Sequence, residues 1–441
     1  MNPAKPRSSP ETALAARVLF GVYELLWRAL SPAVPLVLRI RAARGKEDWG
    51  RIGERYGTFT LGRPGGSLIW VHGASVGECL STLPLVGRLL EKRPDRHVLV
   101  TSGTFTAAQL MKERLPSRAF HQYAPLDSRR AVRRFLNHWR PNLALVVESE
   151  LWPNRILETK AAGIPMALIN ARLSERSFRG WSRWPGNARL ILGCFDLCLA
   201  QDALVAERLR RLGAGGVSVS GSLKADSPPL PVDQSALAAF RELAGGRPLF
   251  LAAQTHPGED EIVLHVAAAL RKHPPGALTV IVPRHPGRGE SIAALARRAG
   301  FRTARRSSGE PLLPETEVYV ADTLGELGLF YRAAKFAFLG GSLVPQGGHN
   351  PIEAAILGTA VLTGPHHQNF EEIYGVLLAA EERRAVISAG ELAEEVISLL
   401  ADPDGTARMG ARAKKAAESL TGALERTAAA AEQLLTRNAR S

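Results

Sequence analysis

Several polar strings in the first half of the chain carry side chains suited to acid–base chemistry. Glu78 follows Ser75 with the S-x-x-E spacing of a capping box, in which both side chains satisfy N–H groups at a helix start. A carboxylate at that place could instead be a general base that takes the proton of an acceptor hydroxyl. The spacing alone favours the cap.

Residues 73–77 also fit the G-x-S-x-G elbow of serine hydrolases, but that elbow normally follows several strands, and only one precedes it here.

Two further strings could line a polar cleft. Glu148 and Glu150 lie in ESELWPN, residues 148–154, together with an indole and an amide. Glu150 could also simply favour a helix N-terminus through the helix dipole. Arg172, in NARLSERS, could bind a phosphate or carboxylate through two parallel hydrogen bonds. A single arginine of this kind is more often a surface residue.

Groups suited to binding an anion appear in the second half. Arg284 and His285 directly follow an apolar run, and a glycine-rich string opens with Gly340, Gly341 and Ser342. Glycines let a phosphate approach bare N–H groups at the positive end of a helix. The string is neither a Walker A nor a G-x-G-x-x-G sequence, and the acidic residues after the predicted strands are not clustered in a way that indicates a divalent metal.

The same glycine-rich string ends in a predicted helix start. Asn350 is a good N-cap, and Pro351 suits the first helical position. Glu353, one turn into the helix, could accept hydrogen bonds from a ribose diol. The alternative is that Glu353 only assists the cap.

Short apolar runs precede these strings and predict strands. The runs are residues 67–72, 97–102, 143–147, 165–170, 197–200 and 217–220, then 248–253, 278–282, 317–320, 336–339 and 360–363. Amphipathic stretches lie between several of them, which is typical of a parallel sheet covered by helices. Ligands of such sheets bind at the carboxyl ends of the strands, where the polar strings lie.

A proline-rich stretch divides the pattern into two doubly wound α/β domains. The predicted organisation is an N-terminal segment over residues 1–48, a first domain over 49–226, a linker over 227–234 and a second domain over 235–441. Ala- and Arg-rich helices are expected to close the second domain.

The N-terminal segment is apolar but interrupted by charges such as Arg17, Glu24 and Arg28. No run reaches the roughly 18 apolar residues of a membrane-spanning helix, and no small-residue cleavage site indicates a secretory signal. Basic residues outnumber acidic ones around it. We therefore expect a segment lying on an anionic membrane surface, with the body on the cytoplasmic side. The alternative is a helix packed on its own domain.

Composition restricts the class of protein and of partner. The chain has 441 residues, 45% hydrophobic and 22% charged, which is typical of a globular protein. Its 56 Lys and Arg against 42 Asp and Glu, a net charge of +14, favour an anionic partner but also fit a solvated basic surface. No basic block interleaved with aromatic residues indicates nucleic acid. The three cysteines, Cys79, Cys194 and Cys198, predict core residues rather than a disulfide framework.

Seven strings together resemble the 3-deoxy-D-manno-octulosonic acid (Kdo) transferases, which are GT-B glycosyltransferases of lipopolysaccharide assembly. In family order they are WVHGASVGE (residues 70–78), ESELWPN (148–154), NARLSERS (170–177), GSLKAD (221–226), PRHP (283–286), GGSLVPQGGHNPIEAA (340–355) and GPHHQNF (364–370). The resemblance covers most of the chain. It implies two Rossmann-like domains facing a cleft, and transfer of Kdo from CMP-Kdo to a lipid A precursor at the cytoplasmic face of the inner membrane. It further implies inversion at the anomeric carbon with no metal and no other cofactor.

The resemblance also implies roles for particular residues. Glu78 becomes the expected catalytic base, which reverses the preference drawn from spacing. Glu148 and Glu150 are expected on the acceptor side, with Arg172 as a further candidate. The residues expected to bind the donor are Arg284 at the CMP phosphate, His285, Gly340, Gly341 and Ser342 nearby, and Asn350 and Glu353 at the nucleotide ribose.

Three alternatives remain at this point. A related GT-B enzyme could use a UDP-sugar and a lipid-linked acceptor, which competition by CMP and UDP would distinguish. A hydrolase would use Ser75 as its nucleophile. A catalytically silent scaffold on the membrane would bind CMP without turnover.

Overall fold

The computed structural model describes residues 10–226, 229–272 and 276–438, with side chains described from residue 20 onward to residue 437. The chain divides into two compact units. The first comprises the described parts of Met1–Asp226 and Gly422–Ser441, and the second those of Ser227–Thr421. Each unit is a parallel sheet covered by helices, as the alternating sequence pattern predicted.

The described residues of the first unit form a seven-stranded sheet in the order β3-β2-β1-β4-β5-β6-β7. Its strands are β1 (Ser67–His72), β2 (Arg96–Ser102), β3 (Ala119–Tyr123), β4 (Leu143–Val147), β5 (Met166–Ala171), β6 (Leu197–Ala200) and β7 (Val217–Val219). Side chains on both faces of the central strands are buried, such as Leu68, Ile69 and Trp70 of β1. This is why those strands read as continuous apolar runs.

Helices surround this sheet. They are α1 (Pro10–Leu30), α2 (Val34–Ala43), α3 (Ile52–Arg55), α4 (Val76–Glu91), α5 (Phe105–Arg114), α6 (Arg129–Trp139), α7 (Pro153–Ala161), α8 (Glu175–Ser182), α9 (Pro185–Leu192) and α10 (Ala203–Arg211). Ser75 caps α4, Thr104 caps α5 and Ser128 caps α6, each by accepting a hydrogen bond from a backbone N–H in the first turn. These caps place each helix start directly after the carboxyl end of a strand.

The described residues of the second unit form a six-stranded parallel sheet in the order β10-β11-β9-β8-β12-β13. Its strands are β8 (Leu249–Thr255), β9 (Leu278–Pro283), β10 (Thr303–Arg305), β11 (Val318–Val320), β12 (Phe336–Leu339) and β13 (Ala360–Thr363). Its helices are α11 (Gln234–Ala244), α12 (Glu259–Leu270), α13 (Gly289–Arg298), α14 (Leu327–Ala333), α15 (Ile352–Ala355), α16 (Glu371–Glu381), α17 (Ala389–Ala401) and α18 (Pro403–Leu420).

Each predicted apolar run coincides with a strand to within two residues. The sequence analysis missed β3 and β10, which are edge strands of their sheets. β3 carries His121 and Gln122, so its sequence lacks an apolar run, and β10 has only three residues. The predicted core position of the three cysteines is confirmed, since all three are buried and free.

The last helix, α19 (Ala423–Asn438), belongs to the first unit, whereas the sequence analysis assigned residues 235–441 to the second domain. Asp226 accepts hydrogen bonds from the backbone N–H groups of Gly422 and Leu424, which fixes the helix start. The buried Arg96 side chain forms an ion pair with Glu432. The alanine-rich face of α19 packs into the core beside α4. An alanine-rich sequence does not indicate which of the two domains the helix covers.

The N-terminal helix α1 packs on its own domain through one side, which is one of the two alternatives left open by the sequence. Tyr23 of α1 donates a hydrogen bond to Asp127, 2.8 Å away, and Phe20 packs against the core of the first unit. The opposite side of α1 and α2 leaves large apolar side chains exposed: Val22, Leu25, Leu26, Leu30, Leu36, Val37 and Ile40. Within the part of the chain that the structure describes, no helix is both long enough and apolar enough to cross a membrane.

Candidate functional site

Glu78 lies in the first turn of α4, beyond the end of β1. Its Oε1 accepts a hydrogen bond from the Ser75 hydroxyl at 2.8 Å, and its Oε2 accepts one from the Ala74 backbone N–H at 2.7 Å. Ser75 Oγ in turn accepts the Glu78 N–H, so the capping interpretation is confirmed. The partner of the Ser75 hydroxyl is therefore a carboxylate and not an imidazole, which does not support the hydrolase alternative.

The acidic strings after β1 and β4 meet because these two strands are neighbours in the sheet. Burial raises the pKa of Glu78. Hydrogen bonds from Ala74 and Ser75 oppose this effect, and the negative charges of Glu148 and Glu150 add to it. Three carboxylates therefore share one sheet edge. A carboxylate with a raised pKa is a stronger base than a solvated one, so the cap and a role in proton transfer are compatible.

A buried arginine organises the residues behind Glu150. Arg155 of α7 donates hydrogen bonds to His72 Nε2 and to the Pro125 carbonyl, the latter at 3.1 Å. Burial, reinforced by the charge of Arg155, lowers the pKa of His72 to about 4, so this histidine is neutral at pH 7. His72 Nδ1 lies 2.9 Å from Thr101 Oγ1, and we assign the ring proton to Nδ1 because Nε2 accepts from Arg155.

Glu150 lies beside this arrangement in its ionised form. Its Oε2 accepts a hydrogen bond from Trp152 Nε1 at 2.8 Å and lies 3.6 Å from His72 Nε2. Burial alone would raise the pKa of Glu150, but its pKa is lowered, with the hydrogen bond from Trp152 Nε1 and the positive charge of Arg155 among the causes.

A cavity of about 220 Å³ opens at this edge of the first unit. Glu150, Arg155 and Arg55 contribute charged groups to its wall, and Trp152 and Trp27 contribute aromatic surface. Trp27 belongs to α1, so the exposed N-terminal helix reaches the cavity that adjoins the acidic residues. Ala74, whose N–H binds Glu78, also lines it.

The other two acceptor-side candidates, Glu148 and Arg172, lie outside the wall of this cavity. Glu148 has a left-handed backbone, with φ of 54°, and its Oε1 lies 3.1 Å from Lys224 Nζ. Arg172 directly follows β5 and has an exposed side chain. Neither residue lines the cavity beside Glu150.

The predicted donor ligands of the second unit lie at the carboxyl ends of β9 and β12. Arg284 and His285 follow β9 and are exposed. Burial raises the pKa of Glu353 to about 7, although the positive charge of Arg284 and hydrogen bonds from Asn350 and Gln254 oppose this rise. Asn350 Oδ1 accepts the Ile352 N–H at 3.1 Å, but α15 begins at Ile352 with Pro351 at the N-cap position, one residue later than the predicted helix start. The structure thus brings Arg284, Asn350 and Glu353 together.

The glycine-rich turn does not offer the free N–H groups that the sequence suggested. The Glu259 carboxylate accepts hydrogen bonds from the N–H groups of Gly341 at 2.7 Å, Ser342 at 3.1 Å and Leu343 at 3.0 Å. The Gly340 N–H donates a hydrogen bond to the carbonyl of Ala253 in the neighbouring strand β8. The expectation that Gly340, Gly341 and Ser342 present bare N–H groups to a phosphate is therefore wrong, because a buried carboxylate of this chain occupies that place.

Several residues of these sites were not singled out by the sequence analysis. His72 and Arg155 line the cavity beside Glu150, and Glu259, His256 and His349 surround the glycine-rich turn. A polar residue at the end of an apolar strand, such as His72, is a signal that could have been followed. Arg155 gives no such signal, since it lies within an ordinary helical sequence. Among the described residues, no group of three or more His, Cys, Asp or Glu side chains could hold a metal ion.

Comparison with known sequences identifies relatives that match most of the chain. Residues 50–227 match the family model described as 3-deoxy-D-manno-octulosonic-acid transferase (kdotransferase). A probable mitochondrial 3-deoxy-D-manno-octulosonic acid transferase of Arabidopsis thaliana is 37% identical, over 88% of this chain and 89% of the relative. The 3-deoxy-D-manno-octulosonic acid transferase of Bordetella pertussis is also 37% identical, over 94% of this chain and 99% of the relative.

Comparison with solved structures supports the fold. A glycosyltransferase of Rickettsia africae superimposes with a TM-score of 0.55 at 12% sequence identity, covering 84% of this chain and 99% of the other. The predicted fold class, an α/β GT-B fold with two parallel-sheet domains and an N-terminal helical segment, is confirmed.

Proposed function

The chain belongs to the Kdo transferase family of glycosyltransferases, and we propose that it transfers Kdo from CMP-Kdo to a lipid A precursor with inversion at the anomeric carbon. The assignment of proton removal rests on the Glu78 carboxylate, which lies next to two further carboxylates at the sheet edge of the first unit. The donor part is carried by the group of Arg284, Asn350 and Glu353 on the second unit.

In the proposed reaction, Glu78 removes the proton of an acceptor hydroxyl. The resulting oxygen attacks the anomeric carbon of Kdo on the face opposite the phosphate, and the bond from that carbon to the phosphate oxygen breaks. CMP leaves with the electron pair, and Arg284 stabilises the charge that develops on its phosphate. The configuration inverts because one direct displacement takes place.

The acceptor side follows from the cavity beside Glu150. Its charged and aromatic wall suits a sugar ring, because carboxylate and guanidinium groups bind hydroxyls and the indoles of Trp27 and Trp152 offer flat apolar surface. An acceptor hydroxyl bound there would be near Ala74 and hence near the carboxylate that Ala74 binds. Glu150 is ionised and held by its neighbours, so we assign it to positioning the acceptor.

A transfer assay read by mass spectrometry tests this function. Purified full-length protein is mixed with freshly generated CMP-Kdo and a tetraacylated, bisphosphorylated glucosamine disaccharide. We expect a product heavier by at least one Kdo unit, and inhibition by CMP but not by UDP. Folded protein that gives no product with intact donor, or that is inhibited by UDP alone, would contradict the proposal and favour a UDP-sugar enzyme.

Replacing Arg284 by alanine should weaken CMP binding about tenfold or more, because a charge-assisted hydrogen bond contributes about 1.5–3 kcal/mol. Titration calorimetry with CMP and with cytidine measures this effect. The loss should appear with CMP and be small with cytidine, which has no phosphate. The exposed Arg298 at the end of α13 provides a control, since Arg298→Ala should leave both affinities unchanged. Equal losses for CMP and cytidine would argue against a phosphate contact.

We further propose that the exposed apolar side of α1 and α2 lies on the cytoplasmic face of the inner membrane. Leu25 and Leu36 are 66% and 62% exposed, and Arg28, Arg39 and the basic residues that follow suit anionic headgroups. This position would bring the cavity lined by Trp27 to a lipid-anchored acceptor. The net charge of +14 supports the same arrangement.

The double substitution Leu25→Glu and Leu36→Glu should lower binding to anionic vesicles about tenfold or more, because it removes apolar burial and adds negative charge. Sedimentation with phosphatidylglycerol-containing vesicles measures the bound fraction. Leu243→Glu is the matched control, since Leu243 is 53% exposed on α11 of the second unit. Equal binding of the double variant and the control would place the membrane contact elsewhere.

A further inference from the structure

Two histidines of the second unit form a hydrogen-bonded pair beneath the glycine-rich turn. His256 Nε2 and His349 Nε2 are 2.9 Å apart, and the two rings are parallel to within 8° with centroids 5.1 Å apart. His285 stands edge-on to His256 at 6.2 Å. A contact between two ring nitrogens requires one to donate and the other to accept, so the pair already shares one proton.

The backbone around the pair is held by Glu259. Its Oε2 accepts the His256 N–H at 3.0 Å and also the Gly341 N–H at 2.7 Å, so one buried carboxylate fixes both the histidine and the turn above it. Tyr374 OH donates to the His349 carbonyl at 2.8 Å and holds the other partner. The pair is therefore a fixed arrangement and not two surface side chains in chance contact.

Gly341 packs directly against the two rings, with no room for a side chain between them. A Cβ atom at this position would lie 3.3 Å from His349 Nε2 and 3.4 Å from His256 Cδ2. Its φ of 67° also disfavours any side chain. Because the N–H groups of this turn are occupied by Glu259, an anion bound next to the histidine pair must be stabilised by other positive groups.

The charged and titratable groups that face the pair determine its protonation. They are Glu259 on α12, Arg284 and His285 after β9, and Arg288 in the short turn that follows. Burial lowers the pKa of His256, and the cationic neighbours lower it further while Glu259 raises it. Burial and the neighbouring His256 lower the pKa of His349 to about 3. Without an anion the pair is neutral, and His256 is the member more easily protonated.

We propose that the His256–His349 pair takes up one proton when the donor phosphate binds and so becomes a cationic phosphate ligand beside Arg284. This inference rests on the proposed function, because it assumes that CMP-Kdo is the donor. The proton adds to His256 Nδ1. His256 then carries both ring protons and donates Nε2–H to His349 Nε2, while His349 keeps its own proton on Nδ1. The phosphate supplies the negative charge that this imidazolium needs in a buried place.

Titration calorimetry of the full-length protein with CMP at pH 8 tests the proposal. The binding enthalpy is measured in two buffers with different ionisation enthalpies, and the difference gives the number of protons taken up. We expect on the order of one proton per CMP bound, and no uptake with cytidine, which has no phosphate. At this pH the phosphate of free CMP is almost fully ionised, so the variants below decide whether the proton goes to the protein.

His256→Asn and His349→Asn should each abolish proton uptake and weaken CMP binding about tenfold, since a charge-assisted contact is lost. His265→Asn is the matched control, because His265 is exposed on α12 of the same unit, and it should behave as the original protein. Arg284→Ala should weaken binding but keep the uptake.

The outcomes separate the two proposals. CMP binding with no buffer dependence of its enthalpy would overturn the histidine proposal and leave the donor assignment intact. Uptake that persists in both histidine variants, or that also occurs with cytidine, would place the proton on CMP or on Glu353 and would overturn it as well. Failure of the folded protein to bind CMP at all would contradict the proposed function and this inference together.

Discussion

Replacing Glu78 by glutamine should lower the rate of Kdo transfer by about 10²–10⁴-fold, which is the contribution of a well-placed general base. Glutamine keeps the length of the side chain and can still accept the Ala74 N–H through its amide oxygen, so the start of α4 should survive. The measurement is kcat in the mass-spectrometric assay, with CMP affinity determined by calorimetry on the same preparation. We expect the affinity to stay within about twofold, because the residues proposed to bind the donor belong to the second unit.

The pH dependence of transfer should report the same carboxylate. The base must be ionised, and the pKa of Glu78 lies above its ordinary value because of burial and of Glu148 and Glu150. The rate should therefore fall as the pH drops through that raised pKa. Glu91→Gln, at the exposed end of α4, is the control and should keep both the rate and the profile. Near-normal turnover in Glu78→Gln would show that Glu78 is not the base and that its role is limited to capping α4.

Replacing Glu259 by alanine should destabilise the second unit by about 3 kcal/mol or more, because an unpaired buried N–H group costs about 1–3 kcal/mol. Its carboxylate accepts four backbone N–H groups, those of His256, Gly341, Ser342 and Leu343. Glu259→Gln should recover part of the loss, because the amide oxygen can accept some of these bonds while the NH₂ group faces the other donors.

Thermal unfolding with and without CMP measures this effect, and the expected shift is several degrees. Glu261→Ala provides the control, since Glu261 is exposed on the same first turn of α12. CMP affinity should also fall in Glu259→Ala, because the turn that carries Gly341 loses its support. An unchanged midpoint for Glu259→Ala would show that water replaces the carboxylate without cost, and the assigned role of Glu259 would then be wrong.

Much of the fold could be predicted from the sequence because buried parallel strands are apolar on both faces. The runs that became β1, β4, β8 and β12 stood out for this reason, and the polar strings after them marked the sheet edges at which we propose the functional sites. The edge strand β3 was missed because one side of an edge strand has no neighbour and its residues need not be apolar.

The sequence by itself determined the family, the two-domain α/β plan and the place of Glu78, since these depend on local patterns and on motifs in a fixed order. Only the tertiary structure decided which distant groups share a site. The Glu259 carboxylate accepts hydrogen bonds from the N–H groups of a turn some 80 residues later in the chain. Arg155 donates a hydrogen bond to His72, and α19 packs on the first unit although it follows the second. Such pairings depend on which strands are neighbours and on how a buried charge finds its partners, and residue spacing along the chain does not encode either of these.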